Sequence, residues 1–221
     1  IFLGRTYLVT YHNHPIQTLE RIWASVPADP RYLTQGADHL FYKLADDLIA
    51  DYMPVVDQMD EVLDEIEDQV FNNPSQVILE NMFTLKRSLV HLRRMLAPQR
   101  EVFNKLARGD DNIIEKHERV FFRDIYDHLV RLYDITESLR DLMGGVLDTY
   151  LSVINKKMNE VMKTLTVITT LFMPLSFIAT VFGMNFFLPR VPVTSFMERP
   201  VFFVVLISFV LLPVAMYFWM R

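Results

Sequence analysis

The chain has 221 residues, 51% of them hydrophobic and 22% charged, with a net charge of −5 and a mean hydropathy of +0.18. That balance is too apolar for disorder, and an acidic chain lacks the basic surface that sequence-independent nucleic-acid binding needs, so no nucleic-acid partner is expected. With no cysteine there is neither a disulfide framework nor a thiolate metal site, and six glycines leave little for a phosphate-binding loop.

The averages conceal a segregation along the chain. Residues 164–189 contain no Asp, Glu, Lys or Arg, and only Arg190, Glu198, Arg199 and Arg221 carry charge after them. Taking these four from the 22 basic and 27 acidic side chains leaves a net charge of −7 before Thr164. A water-compatible acidic part therefore precedes a part built for lipid.

In chain order, residues 1–30 read as the remnant of an N-terminal cytoplasmic α/β domain. Tyr7–Tyr11 has strand composition and Ile16–Val26 the apolar spacing of a short helix. One strand does not stand alone, so the rest of that domain is expected to precede Ile1, and Ala28-Asp29-Pro30 reads as the linker out of it. Residues 31–112 read as cytoplasmic helical arms. Asp38 is the expected N-cap of a helix reaching Phe71, Asn72-Asn73-Pro74 breaks it, and Ser75 is the expected cap of a second helix reaching Arg108, with Pro98 a candidate kink. The first arm carries Asp57, Asp60, Glu61, Asp64, Glu65, Glu67 and Asp68, a solvated face or a cation-concentrating one.

After Gly109–Asn112, residues 113–163 read as a stalk helix with no stop signal from about His117 to Gly183, although Gly144-Gly145 could soften it and Pro174 could kink it. A helix of about 65 residues at 1.5 Å each is roughly 100 Å long, a stalk and a membrane span in one element. Its apolar stripe, Leu139, Leu142, Val146, Leu147, Leu151 and Ile154, needs either the arms or other copies of itself as a partner.

Residues 164–182 and 200–221 are each long enough to cross roughly 30 Å of hydrocarbon, joined by a loop at 183–199. Their place at the end of the chain excludes a signal peptide. Lys156, Lys157 and Lys163 before the first span and Arg221 after the second put both termini in the cytoplasm of a multi-pass protein of the inner (plasma) membrane. The fold class is thus mainly α, membrane-embedded.

The first span has a polar stripe. Thr169, Met173, Ser176 and Thr180 share one helix face, which extends back through Leu165, Met162, Asn159, Asn155 and Asp148 with a drift that supercoiling absorbs. Two readings fit: a close helix–helix contact, or the lining of an axial pore built from several copies.

At the outer end of this span stands Gly183-Met184-Asn185, followed by a short loop and a last span. With Asn159-Glu160-Val161-Met162-Lys163, Phe172-Met173-Pro174-Leu175 and Phe122-Arg123-Asp124-Ile125-Tyr126-Asp127-His128, this context resembles the CorA family of magnesium and cobalt transporters over nearly the whole chain. The resemblance implies a funnel-shaped homopentamer in the lipid bilayer, with first spans around the pore and second spans in an outer ring. It implies that Gly183, Met184 and Asn185 form the ion entry and selectivity ring for hydrated Mg2+. It implies that Asp148, Leu165, Met173 and Ser176 line the pore, with Leu165 and Met173 at the hydrophobic constriction. Asp124 matches a carboxylate of the cytoplasmic metal sensor between subunits, and Asp46 is a second candidate. His128, four residues on, is open between a ligand role and stalk packing. The sensor's other family carboxylate belongs to the amino-terminal domain, so weakened magnesium-dependent closure is expected of this chain.

The sequence departs from the family at the loop Phe186–Val191, where Arg190 stands in place of the acidic residue many members carry, and the family's basic tail does not appear before Arg221, so a C-terminal trim is expected. The transported ion therefore stays open among Mg2+, Co2+, Ni2+ and Zn2+. A ZntB-like zinc transporter is the first alternative, and a non-conducting two-span scaffold is the second. The sequence has no His-Glu-x-x-His, phosphate loop or cysteine nucleophile, and no enzymatic activity is expected.

Overall fold

The computed structural model describes residues 1–29, 31–110 and 113–183, together with Phe203, Ile207, Leu211, Val214 and Ala215. It divides into two compact units, Ile1–Val153 and Ile154–Arg221.

Unit 1 opens with a two-stranded antiparallel ribbon, β1 (Phe2–Leu3) against β2 (Leu8–Val9), in the register Phe2↔Val9 and Leu3↔Leu8. Gly4 donates its amide to the Tyr7 carbonyl at 2.9 Å and closes the turn. The expected strand over Tyr7–Tyr11 is thus shorter, and its partner lies within the chain. The expected short helix is α1 (Gln17–Ser25), and α2 (Arg31–Thr34) is a single turn.

The expected first arm is two helices, α3 (Ala37–Ala50) and α4 (Tyr52–Asn72), parted at Asp51. Pro54 is the physical reason. It lacks an N–H for the carbonyl of residue 50 and its ring clashes there, so it is accommodated only in the first turn of a new helix. Asp38 is not the N-cap. Gly36, with φ +98°, holds that position, and Asp38 sits inside the first turn, buried. Its carboxylate accepts the His39 amide at 3.0 Å and the Glu115 amide at 3.1 Å, tying the start of α3 to the connection that precedes the last helix.

The second arm is α5 (Gln76–Arg108), uninterrupted at Pro98. Ser75 precedes it as expected, but its side chain makes no capping bond; its carbonyl accepts the Tyr150 hydroxyl at 3.3 Å instead. Gly109, at φ +72°, ends α5 in the left-handed region, and its amide and that of Asp110 reach back to Lys105 and Leu106 carbonyls. The last helix, α6, runs Arg119–Gly183 through Gly144, Gly145 and Pro174 without a break.

The core of unit 1 is written in heptads. Buried positions on α6 are Phe122, Ile125, Leu129, Leu132, Thr136, Leu139, Met143, Val146 and Tyr150, alternating steps of three and four. The same period places Ile78, Met82, Leu85, Leu89, Leu92 and Leu96 on α5 and Val56, Leu63, Ile66 and Val70 on α4. A 3.5-residue repeat keeps each seam facing its neighbour and imposes a left-handed supercoil. Phe41, Phe103 and Phe122 bring α3 onto this seam, with centroids 5.6 to 6.3 Å apart. Such ring pairs add about 0.5–1.5 kcal/mol each beyond their burial.

The apolar stripe expected on the stalk is only partly covered by the arms of the same chain. Leu139 and Val146 are buried, but Leu142 and Leu151 are more than half exposed, and Met143 and Tyr150 hold the core positions beside them. In unit 2, the described part of α6 from Ile154 has no buried residue, and it contains an 18-residue window long and apolar enough to cross a membrane.

Candidate functional site

Asp148, Asn155, Asn159, Met162, Leu165, Thr169, Met173, Ser176 and Thr180 all lie on α6, and all are exposed. On a helix this regular, their spacings keep them within one face, with no lysine, arginine or glutamate among them. Its two threonine hydroxyls have a fixed hydrogen-bond polarity. Thr169 donates to the Leu165 carbonyl at 2.9 Å and Thr180 donates to the Ser176 carbonyl at 2.7 Å. A hydroxyl has one proton and two lone pairs. With the proton committed to the backbone, each oxygen presents acceptor character outward. Thr164 and Thr166 bond back to Glu160 and Met162 in the same way.

Gly183 is the last residue of α6, whereas Met184 and Asn185 lie outside the described residues, as does the loop with Arg190. Of the second expected span, Phe203, Ile207, Leu211, Val214 and Ala215 are helical and exposed.

The two candidate sensor carboxylates stand on different helices, Asp46 on α3 and Asp124 on α6. Tyr42 lies within electrostatic reach of both. Its phenol is held above the ordinary tyrosine value first by burial and then by Asp46, with Asp124 and Glu118 adding to the same shift and Lys43 opposing it. Asp46 is half-buried, 4.0 Å from both the Lys43 ammonium and the His128 Nδ1. Asp124 is exposed and has no ion pair among the described residues. The His128 side chain is 60% exposed in this chain and lies 4.0 Å from Asp46.

Carboxylate and phenol oxygens are the hard donors that Mg2+ prefers. Among the described residues, however, no group of three or more His, Cys, Asp or Glu could by itself hold a metal ion. One chain supplies a partial oxygen set. Lys43 and Tyr42 are the neighbours that the sequence reading missed; their i,i+3 and i,i+4 spacing from Asp46 on a single helix was the available signal. Lys43 engages Asp47 more closely, at 2.9 Å, and that hydrogen bond holds its ammonium above the ordinary lysine value. The acidic residues on α4 are all exposed, and none has an ion pair among the described residues.

Comparison with known proteins accounts for the whole length. A family profile described as CorA-like Mg2+ transporter protein matches residues 1–221. The chain is 45% identical over 150 residues to the cobalt/magnesium transport protein CorA of Thermotoga maritima, covering 68% of this chain and 43% of that protein. It is 35% identical over 191 residues to the putative metal ion transporter YfjQ of Bacillus subtilis, covering 86% of this chain and 60% of that protein. The complete structure of the CorA magnesium transporter from Methanocaldococcus jannaschii matches with a TM-score of 0.79 at 25% identity, over 95% of this chain and 66% of that one. The chain thus spans about half the length of the curated relatives it matches. With that profile matched from end to end and a helical architecture shared with a solved member, the chain belongs to the CorA-like Mg2+ transporter family.

Proposed function

We propose that the chain carries the pore-forming part of a divalent cation channel, with Mg2+ as the main cargo and Co2+ and Ni2+ as secondary ones. It works as a homopentamer in the plasma membrane with both termini cytoplasmic. The observation that carries this reading is the exposed stripe on α6, uncharged from Asn155 to Thr180, whose threonine oxygens are turned into acceptors by their own backbone.

The chemistry of the cargo explains why such a stripe suits it. Mg2+ gives up its water reluctantly, and its bound waters present hydrogens outward. Acceptor oxygens at Thr169 and Thr180 and amides at Asn155 and Asn159 fit that shell, whereas a ring of carboxylates would bind too tightly for release. Leu165 and Met173 interrupt the stripe with apolar rings that close by dewetting when they approach. Asn185, beyond Gly183, is the proposed entry amide. A cation descending the membrane potential gains about 2.3 kcal/mol per charge per 100 mV, so no other energy source is needed.

Gating rests on the carboxylates of unit 1. Asp124, exposed and without an ion pair among the described residues, is proposed to face a neighbouring subunit, with Asp46, near the same Tyr42, in support. A divalent cation bound there supplies the positive charge that offsets facing carboxylates. Without that offset, Asp124 of adjacent subunits repel and the stalks separate.

The test is ion-resolved flux into proteoliposomes, with Mg2+, Co2+, Ni2+ and Zn2+ offered separately. The expected result is Mg2+ entry that Asn185→Ala reduces to background. Flux of Zn2+ alone would favour the zinc transporter, and equal background with both proteins would leave a non-conducting scaffold.

A further inference from the structure

Helices α4 and α5 form an antiparallel hairpin with opposite charges on its two limbs. α4 has seven Asp and Glu and no Lys or Arg, while α5 has seven Lys and Arg against two Glu. Five of the acids, including Asp57, Glu61, Asp64 and Asp68, fall on the α4 face opposite its buried seam, and Arg87 and Arg94 fall opposite the seam of α5. Asp57 and Asp64 form no ion pair with α5 of the same chain, and Lys86, Arg87 and Arg94 form none with any described residue.

The hairpin sets the two charged faces at one level. The amide of Gln99 donates to the Tyr52 hydroxyl at 3.1 Å, and Val55 and Met59 share a groove with His91 and Met95. That register places Asp57 level with Arg94 and Asp64 level with Arg87. Both pairs are separated by two turns of helix, about 10 Å.

We infer that the acidic face of α4 docks on the basic face of α5 in the next copy of this chain, Asp57 toward Arg94 and Asp64 toward Arg87. In a closed ring, each subunit presents one patch to the left and its complement to the right. The rotation about the axis involves no translation along it, so the two patches must stand at equal height. A hairpin with unpaired charges of opposite sign at one level meets that condition. Like-charged faces at the same level repel any flipped or two-fold arrangement, so the pattern specifies a head-to-tail ring as well as holding it together. This inference rests on the oligomeric part of the proposed function and is independent of what the pore conducts.

The chain has no cysteine, which makes cross-linking clean. The full chain carrying Asp64→Cys with Arg87→Cys is purified in detergent and oxidised. The expected product is a ladder of covalent dimers, trimers and higher multiples, lost on reduction. A ladder ending at dimer, or a cross-link confined to the monomer, overturns the inference.

Charge reversal supplies the second arm, read as oligomer mass by light scattering at low and high salt. Arg87→Glu with Arg94→Glu is expected to weaken association about tenfold at low salt, and adding Asp57→Arg with Asp64→Arg is expected to restore it. Circular dichroism of each variant separates lost contact from lost folding. An oligomer indifferent to reversal and free of cross-links overturns this contact while leaving the oligomeric reading intact. A chain that is monomeric under every condition overturns both.

Discussion

Gly109 shows how one position can hold two constraints. Its φ of +72° is a conformation that side chains disfavour, and a methyl group there would run into the Arg119 guanidinium. Gly109→Ala is expected to cost about 1–2 kcal/mol from the backbone alone, and urea denaturation should show Arg119→Ala recovering any excess above that. Asp38 is constrained through its partners. Asp38→Ala would leave the part-buried Glu115 amide without its acceptor, at an expected cost of about 0.5–1.5 kcal/mol in the same measurement. Lys43 makes a prediction about pH. Its ammonium is raised by the hydrogen bond to Asp47, so its contribution to stability is complete below the ordinary lysine range and is lost as pH climbs through the raised value. Thermal melts in increasingly basic buffer should fall over that window, and Lys43→Gln should flatten the fall.

On the scale of elements, the heptad seam separates leucines that look alike in sequence. Leu129 is fully buried on α6, whereas Leu142 is 56% exposed. Leu129→Ala is expected to cost about 2–5 kcal/mol and Leu142→Ala under about 1, checked by denaturation of both variants. The helices themselves were legible, because Asn72-Asn73-Pro74 and Gly109 are strong punctuation and the apolar periodicity is long. The seam's phase was not. Leucines at 142, 147 and 151 outweigh Met143 and Tyr150 on hydrophobicity, and only the neighbouring helix decides which stripe it covers. The break at Asp51 was missed for a related reason: Pro54 is compatible with a helix start, and the apolar pattern continues across it. The candidate pore stripe was readable as a face, yet the direction of its hydroxyl protons was not, since a threonine in sequence is equally donor and acceptor.

For the whole molecule, the decisive prediction concerns regulation. If Asp124 senses the cytoplasmic ion, Asp124→Ala should leave basal Mg2+ entry intact and shift its inhibition by internal Mg2+ to higher concentration; inhibition unchanged from the parent protein would remove Asp124 from the mechanism. The family assignment was readable from Gly183-Met184-Asn185 and its setting, although two of those three residues lie outside the described structure. The bond from Asp38 to the Glu115 amide has a consequence for folding order. It joins residues 77 apart, as the Tyr150 to Ser75 bond joins residues 75 apart, while the α4–α5 hairpin closes over a connection of only a few residues. Loop closure favours the hairpin first. Pulsed hydrogen exchange should find α4 and α5 protected before the first turn of α3, so that a nascent chain keeps that end of its core unlatched until the opening turns of α6 have been made.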